Sequence, residues 1–338
     1  MEKHLFAGAS TFLGFVDFFE YVMPLENAKR RYFLKGSSGS GKNTFLRKIV
    51  MEQKELNNQN NNKTLIELFH CANDPKSLDA IAIPSLGFSV MDATLPHSHD
   101  PQVPTAVDTI VDFAQFLDEK KISPYVDILK QLYMDKKNSR KKINHYLTAL
   151  HNVYSAENSA VNEYVINELV QKYSGKIIGK NNRMFGKGKD RKLFLSAITP
   201  DGFITFVDSY FDNANTLYGL NNSYMANGLF LDILKDEILK HGINTESFYN
   251  PLDPTKLEHL NLPDLGIAFV STGDFGYKNE VKEQVLPTLN MANVTSDLFK
   301  RLLDTTIIAM NESNTIHYQT EKLYIRAMNF EELNQLKL

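Results

Sequence analysis

The 338-residue sequence predicts an α/β fold of two related modules, each a parallel sheet with flanking helices followed by a helical segment. Two observations predict it. Short apolar runs alternate with a helical pattern in the first hundred or so residues, and two blocks of that region recur in the same order in the second half.

The recurrence is specific. LFAGASTFLGFVDFFEYV from Leu5 matches LFLSAITPDGFITFVDSY from Leu193, pairing Gly14 with Gly202, Phe15 with Phe203 and Glu20 with Asp208. FHCANDPKSLDAIAIPSLGFSVMDAT from Phe69 matches FYNPLDPTKLEHLNLPDLGIAFVSTG from Phe248, pairing Asp74-Pro75 with Asp253-Pro254, Pro84 with Pro263 and Leu86-Gly87 with Leu265-Gly266. The offset drifts only from 188 (202 minus 14) to 179 (253 minus 74), as a duplicated module would leave it. The Gly/Lys/Asn-rich stretch Lys176 to Lys192 reads as a solvated linker. It places the boundary near residue 188, with modules at 1–188 and 189–338.

The elements of the first module follow in order. Arg30 to Gly36, RRYFLKG, reads as a short strand, and Lys42 to about Lys54 as a helix with Phe45, Leu46, Ile49 and Val50 on one face. Asn57 to Lys63 is a polar loop. Thr64 to His70 and Leu86 to Asp92 give two more strands, and strands separated by a helix predict parallel pairing through right-handed crossovers. From Thr105 to about Tyr173 the pattern turns helical, with Val107, Ile110, Val111, Ala114 and Leu117 at helical spacing. A comparable helical tail is expected from about Glu280 to Leu338.

The chemistry lies between the first strand and the first helix. Gly36, Gly39, Gly41 and Lys42 satisfy G-x-x-x-x-G-K, a phosphate-binding loop, and Ser37, Ser38 and Ser40 complete it. Glycines let the backbone wrap a phosphate with its amides inward, the helix N-terminus adds positive potential, and Lys42 supplies a point charge. The next position departs from the pattern. Asn43 stands where serine or threonine gives a hydroxyl to magnesium, and asparagine offers a neutral carbonyl oxygen instead. Thr44 beside it is a second candidate, and Asp92, ending an apolar strand, suits the carboxylate of a magnesium shell. Gly36 to Thr44 are thus the candidate nucleotide-binding residues, Asn43, Thr44 and Asp92 the candidate metal ligands, and ATP with Mg²⁺ the expected cofactors.

The loop ATLPHSHDPQVP from Ala93 carries His97, His99 and Asp100, candidates to orient an attacking water. The alternative is a proline-stiffened surface loop. His70 and Cys71 read as packing at a sheet end. Lys136 to Lys142, KKNSRKK, reads as a solvated helix face, with an arginine finger from Arg140 as the sharper alternative.

Comparing the copies sharpens the assignment. Aligning Phe45-Leu46 with Phe230-Leu231 sets Asn221 opposite Gly36, Tyr224 opposite Gly39, Ala226 opposite Gly41 and Asn227 opposite Lys42, while Ser271 falls opposite Asp92. Loop and acid vanish together. The second module is then a scaffold or a surface for a protein partner, and one nucleotide is expected per chain.

Composition narrows the partners. A net charge of −3 and a pI near 6.3 give no global reason to expect nucleic acid or an anionic membrane surface. A lone Cys71 excludes an internal disulfide, and the N-terminus lacks the pattern of a signal peptide, so a reducing, cytoplasmic location is expected. No apolar run approaches the roughly 18 residues of a membrane-spanning helix.

With HLFAGAS, FHCANDPKSLD and DATLPHSHDP in the first half and LFLSAITPDGF in the second, the chain resembles a bacterial family built from two P-loop NTPase-like modules. The resemblance spans nearly the whole chain and implies ATP binding. Loops in that family usually end G-K-S, often in both halves, so this sequence departs from it at Asn43 and through the second loop. The expected function is a Mg-dependent NTPase with one competent site. The alternatives are a nucleotide or small-molecule kinase, recognised by phosphate transfer, and a non-hydrolysing nucleotide-responsive interaction protein.

Overall fold

The computed structural model describes residues 1–59, 64–157, 161–179, 186–212, 214–273, 275–286, 296–336 and 338. The first half runs β1 (Glu2–Leu5), β2 (Gly8–Thr11), β3 (Gly14–Asp17), β4 (Arg30–Lys35), α1 (Lys42–Gln59), β5 (Ile66–Cys71), β6 (Asp74–Ile83), β7 (Phe88–Asp92), β8 (Asp108–Asp112), α2 (Glu119–Ile122), α3 (Val126–Glu157) and α4 (Glu163–Ile178). The second half runs β9 (Asp190–Leu193), β10 (Ser196–Thr199), β11 (Gly202–Thr205), α5 (Val207–Phe211), β12 (Thr216–Leu220), α6 (Tyr224–Lys240), β13 (Thr245–Tyr249), β14 (Leu257–Leu262), β15 (Ile267–Ser271), β16 (Glu283–Leu286), α7 (Asp297–Ile325) and α8 (Phe330–Leu333). The chain is α/β, as expected, and among the described residues no helix is long and apolar enough to cross a membrane.

Two six-stranded sheets carry the fold, in the orders β1-β5-β6-β7-β4-β8 and β9-β13-β14-β15-β12-β16. Strand for strand the two orders are the same. Neither sheet is purely parallel, which corrects the sequence expectation: β6 pairs antiparallel with both β5 and β7, and β14 with both β13 and β15. The cause is local. Only two residues separate β5 from β6, and a tight turn at Pro84–Leu86 closed by Gly87 joins β6 to β7, so the chain must reverse. Gly87 has φ +61° and Gly266, in the matching turn, φ +62°. Such left-handed backbone is cheap only for glycine.

The expected helix from Thr105 begins later. Val107, Ile110 and Val111 fall in or beside β8, which pairs parallel with β4, and the long helix α3 starts at Val126. β-branched residues in DTIVD favour a strand, and a free parallel edge on β4 is there to take it. The second tail likewise opens with a strand, β16, before α7. Of the proposed linker, Lys176–Ile178 ends α4 and Asp190–Lys192 lies in β9, while residues 180–185 are outside the described residues. Asn57–Gln59 end α1, and residues 60–63 are likewise outside them.

Helices cross between the halves. Ile166, Val170, Tyr173 and Ile177 of α4 pack with Phe230, Leu234 and Ile238 of α6 over the second sheet. Reciprocally, Met328 and Leu333 at the C-terminal end pack with Leu34, Phe45, Leu46 and Phe113 over the first. α3 and α7 lie side by side, with Met310 of α7 in one cluster with Ile143, Leu147 and Leu150 of α3. At the junction Phe6 N–H donates to Phe194 O at 3.0 Å and Phe194 N–H to Phe6 O at 3.1 Å. One apolar core joins Leu5, Phe33 and Phe69 of the first half to Leu193, Phe248 and Val270 of the second.

Candidate functional site

β4 is flanked on both sides by parallel strands, β7 and β8, so its carboxyl end opens where α/β sheets bind ligands. There the chain turns through Gly36–Gly41 into α1. Gly39 (φ +76°) and Gly41 (φ +89°) lie in the left-handed region. The loop also has no room for side chains: a Cβ on Gly39 would come within 2.7 Å of Glu321 O, and one on Gly41 within 2.8 Å of Leu333 Cδ2. Both glycines are therefore required twice, for conformation and for contact with the end of α7 and with α8.

Lys42 is 9% exposed and its ammonium donates to Gly36 O at 2.7 Å and Ser37 O at 2.9 Å. Its third neighbour is Asp92 Oδ2 at 3.5 Å, placed there because β7 pairs with β4. Asp92 Oδ1 accepts from the amide and hydroxyl of Thr94, which fixes the carboxylate at the strand end. A helix start leaves its first amides without intrahelical acceptors. Among the described residues, the N–H groups of Lys42, Asn43 and Thr44 have none elsewhere. Ser40 Oγ is buried and without a hydrogen-bond partner among the described residues. Beside these groups lies a cavity of about 450 Å³, lined by Ser37–Thr44, within the range of small-molecule sites.

The other candidates divide. Asn43 faces the cavity, but its Oδ1 accepts from Leu78 N–H at 3.0 Å, so the oxygen proposed for a metal ties α1 to β6. Thr44 is exposed at the cavity wall. His97 also lines it, with Nδ1 3.0 Å from Asp92 O, Nε2 3.7 Å from Asp79 Oδ2 and its ring stacked on Phe19. His99 does not join it. Its Nε2 sits 3.0 Å from Asp17 Oδ2 in an ion pair at the base of β3. Asp100 stays out too, 90% exposed and 3.7 Å from Lys35.

Asp79 is the residue that sequence reading missed. Ala80 pairs with Met91, so the antiparallel register carries Asp79 across from Asp92 and into the cavity. It is buried, and burial first, then the neighbouring Asp92 charge, pushes its carboxyl up to about 6, against the pull of His97 and Lys42. The signal was a single acid in the apolar run LDAIAI.

His70 and Cys71 behave as packing groups. His70 Nδ1 lies 2.7 Å from Pro75 O and Nε2 2.8 Å from His4 Nδ1, an arrangement that a neutral ring satisfies, and burial pushes its pKa down to about 4. Burial and Asp79 push the Cys71 thiol well up, which removes it as a nucleophile. Arg140 is brought to the cavity by α3, together with Lys136, and His317 of α7 closes the same wall.

The second loop is occupied by its own side chains. Asn227 Nδ2 donates to Leu220 O, Asn222 O and Ser271 Oγ at 3.2–3.3 Å, a neutral version of the contacts that Lys42 makes to two loop carbonyls and Asp92. Tyr224 fills the place aligned with Gly39, stacked at 4.3 Å on Tyr154 of α3. The residues of the first loop fit a phosphate chain: free amides, an unpartnered Ser40 hydroxyl and a nearly buried ammonium. For Mg²⁺ they offer Asp92 and Thr44, a sparse oxygen set suited to an ion that keeps waters and phosphate oxygens as ligands. Among the described residues, no group of three or more His, Cys, Asp and Glu gathers to hold a metal. No family model, curated protein or solved structure matches the chain.

Proposed function

We propose that the cavity over Gly36–Thr44 binds ATP with Mg²⁺, and that the chain is a P-loop NTPase-like protein of two duplicated modules in which only the first keeps a nucleotide site. Lys42 carries the reading: a nearly buried ammonium answered by two carbonyls and one carboxylate, at the foot of a cavity edged by free amides. Three features support the duplication: the sequence repeat, the shared strand order, and the reciprocal bridge between Phe6 and Phe194, which the repeat aligns.

In this reading Lys42 and the α1 amides hold the phosphates, and Asp92 and Thr44 would hold Mg²⁺, which supplies charge neutralisation when bound. Asp79 accepts the proton of the attacking water, with His97 holding it in place. A base must be deprotonated to act, so turnover is expected to fall as pH drops through about 6, the value to which burial raises Asp79. Asp79→Asn should remove that limb together with the activity. A pH–rate profile of phosphate release checks this, and an unchanged profile in the variant would rule Asp79 out.

Calorimetry with ATP and Mg²⁺ tests binding itself. One equivalent per chain is expected, and Lys42→Ala should weaken it by about ten- to a hundredfold, the worth of a hydrogen bond to a charged group. Two equivalent sites, or unchanged affinity in the variant, would sink the assignment. A non-hydrolysing role is the second reading, favoured by the commitment of Asn43 Oδ1 to Leu78 N–H. Tight binding without released or transferred phosphate would select it.

A further inference from the structure

Lining the same cavity as the loop are two cations that make no ion pair among the described residues. Lys136 and Arg140 stand one turn apart on α3 and line the cavity with Ser37–Thr44. Among the described residues neither comes within 4 Å of a carboxylate. Lys136 Nζ instead donates to His317 Nδ1 at 2.6 Å, and the same ring nitrogen lies 3.3 Å from Ser38 Oγ of the loop. An imidazole that accepts from an ammonium through Nδ1 is neutral and carries its proton on Nε2. The wall therefore presents an ammonium, a guanidinium and an imidazole beside the loop's own serine.

We infer that Lys136, Arg140 and His317 form a second anion subsite of this cavity, one that takes a tetrahedral phosphoryl group next to Ser38. Like charges one turn apart repel, and the partial burial of Lys136 adds to the penalty. Burial first, then Arg140, lowers Lys136 to about 8; burial lowers Arg140; and burial with Lys136 holds His317 near 4. Two carboxylates share the cavity near this wall, Glu321 and Asp74. Glu321 is pushed up by burial and by Asp74, so it is a poor counter-charge. A bound dianion removes the cation repulsion without a protein partner. Guanidinium and ammonium are also both natural donors to phosphate oxygens.

The inference rests on the proposed nucleotide site for what lies next to the subsite. The phosphoryl group has two sources, the terminal phosphate of the nucleotide or the phosphate of a second ligand. Calorimetry with ATP, ADP, inorganic phosphate and ADP plus inorganic phosphate separates them in the wild-type chain, Arg140→Ala, Lys136→Ala and Lys42→Ala. If the terminal phosphate is held, Arg140→Ala weakens ATP tenfold or more and leaves ADP within twofold. If a second ligand is held, Arg140→Ala leaves ATP unchanged but abolishes phosphate binding to the ADP complex. Phosphate binding lost in Arg140→Ala, in a chain that binds no nucleotide, supports the subsite while overturning the nucleotide reading. Equal loss of ATP and ADP, or no loss of any ligand in either α3 variant, overturns the subsite. Arg140 keeps part of its side chain in solvent while its guanidinium faces the cavity, so its alanine variant should fold, and matching melting curves check this.

Discussion

A chain ending at Arg326 is expected to lose most of its stability and much of its soluble yield. The truncation removes Met328 and Leu333, both buried, and Phe330 and Leu336, which pack with Phe45, Leu46 and Phe113 over the first sheet. Removing one such side chain from a core costs about 2–5 kcal/mol. Removing four together approaches the whole stability of an ordinary domain, about 5–15 kcal/mol. The point variant Leu333→Ala should cost about 2–4 kcal/mol and gives a measurable intermediate case. Chemical denaturation reads both, and a truncated chain that unfolds at the full-length midpoint would contradict the packing of the C-terminal end on the first sheet.

Arg191→Ala is expected to cost about 3–5 kcal/mol, because it strands a buried carboxylate. Arg191, on β9, makes a two-pronged pair with Glu67 of β5 at 2.7 and 2.8 Å and donates to the carbonyls of Tyr21 and Val22. The Glu67 side chain is only 3% exposed. Arg191 also pairs with Glu246 at 3.4 Å and, with Lys3 after it, which the repeat aligns with Arg191 and which lies over the Tyr210 ring, holds the Glu246 carboxyl below its usual range. Removing the guanidinium leaves Glu67 with neither water nor partner, and Glu67→Gln in the same chain should recover part of the loss by removing the charge. A double-mutant cycle in urea measures this, and a loss under about 1 kcal/mol for Arg191→Ala would show that water reaches the site.

What the sequence made legible is chemical spacing. The spacing of Gly36, Gly39, Gly41 and Lys42 marks a tight turn from strand into helix, so that turn and the strand before it were readable without neighbours. Asp92 was readable as the end of an apolar strand. Strand direction was not, because it turns on connections two to four residues long: the stretch from Asp74 to Ile83 lies between two other strands with no α-helix on either side. Asp79 was hidden for the same reason, since only the antiparallel register with β7 brings it opposite Asp92. His99 was misplaced because its partner, Asp17, comes from a strand 82 residues earlier. The cation wall lay furthest from view, as Lys136 and His317 meet across 181 residues. Helical periodicity shows that a face is amphipathic, not which distant helix covers it.

The exchange of ends between the two sheets sets a timetable for synthesis. α1 and the strands of the first sheet leave the ribosome long before Leu333, and at about 5–20 residues per second the gap is on the order of ten to forty seconds. Throughout that interval the part of this cluster that Met328, Phe330, Leu333 and Leu336 cover has no lid, although α1 already rests on Ile66, Leu68, Ile81 and Val90 of its own sheet. The nascent first half is therefore a natural client for a holdase, and slowing elongation over the second half should raise aggregation of this chain rather than help it fold. Ordinary tandem proteins finish their N-terminal unit first. Here the cover over one side of the first sheet is the last part of that cluster to be synthesised.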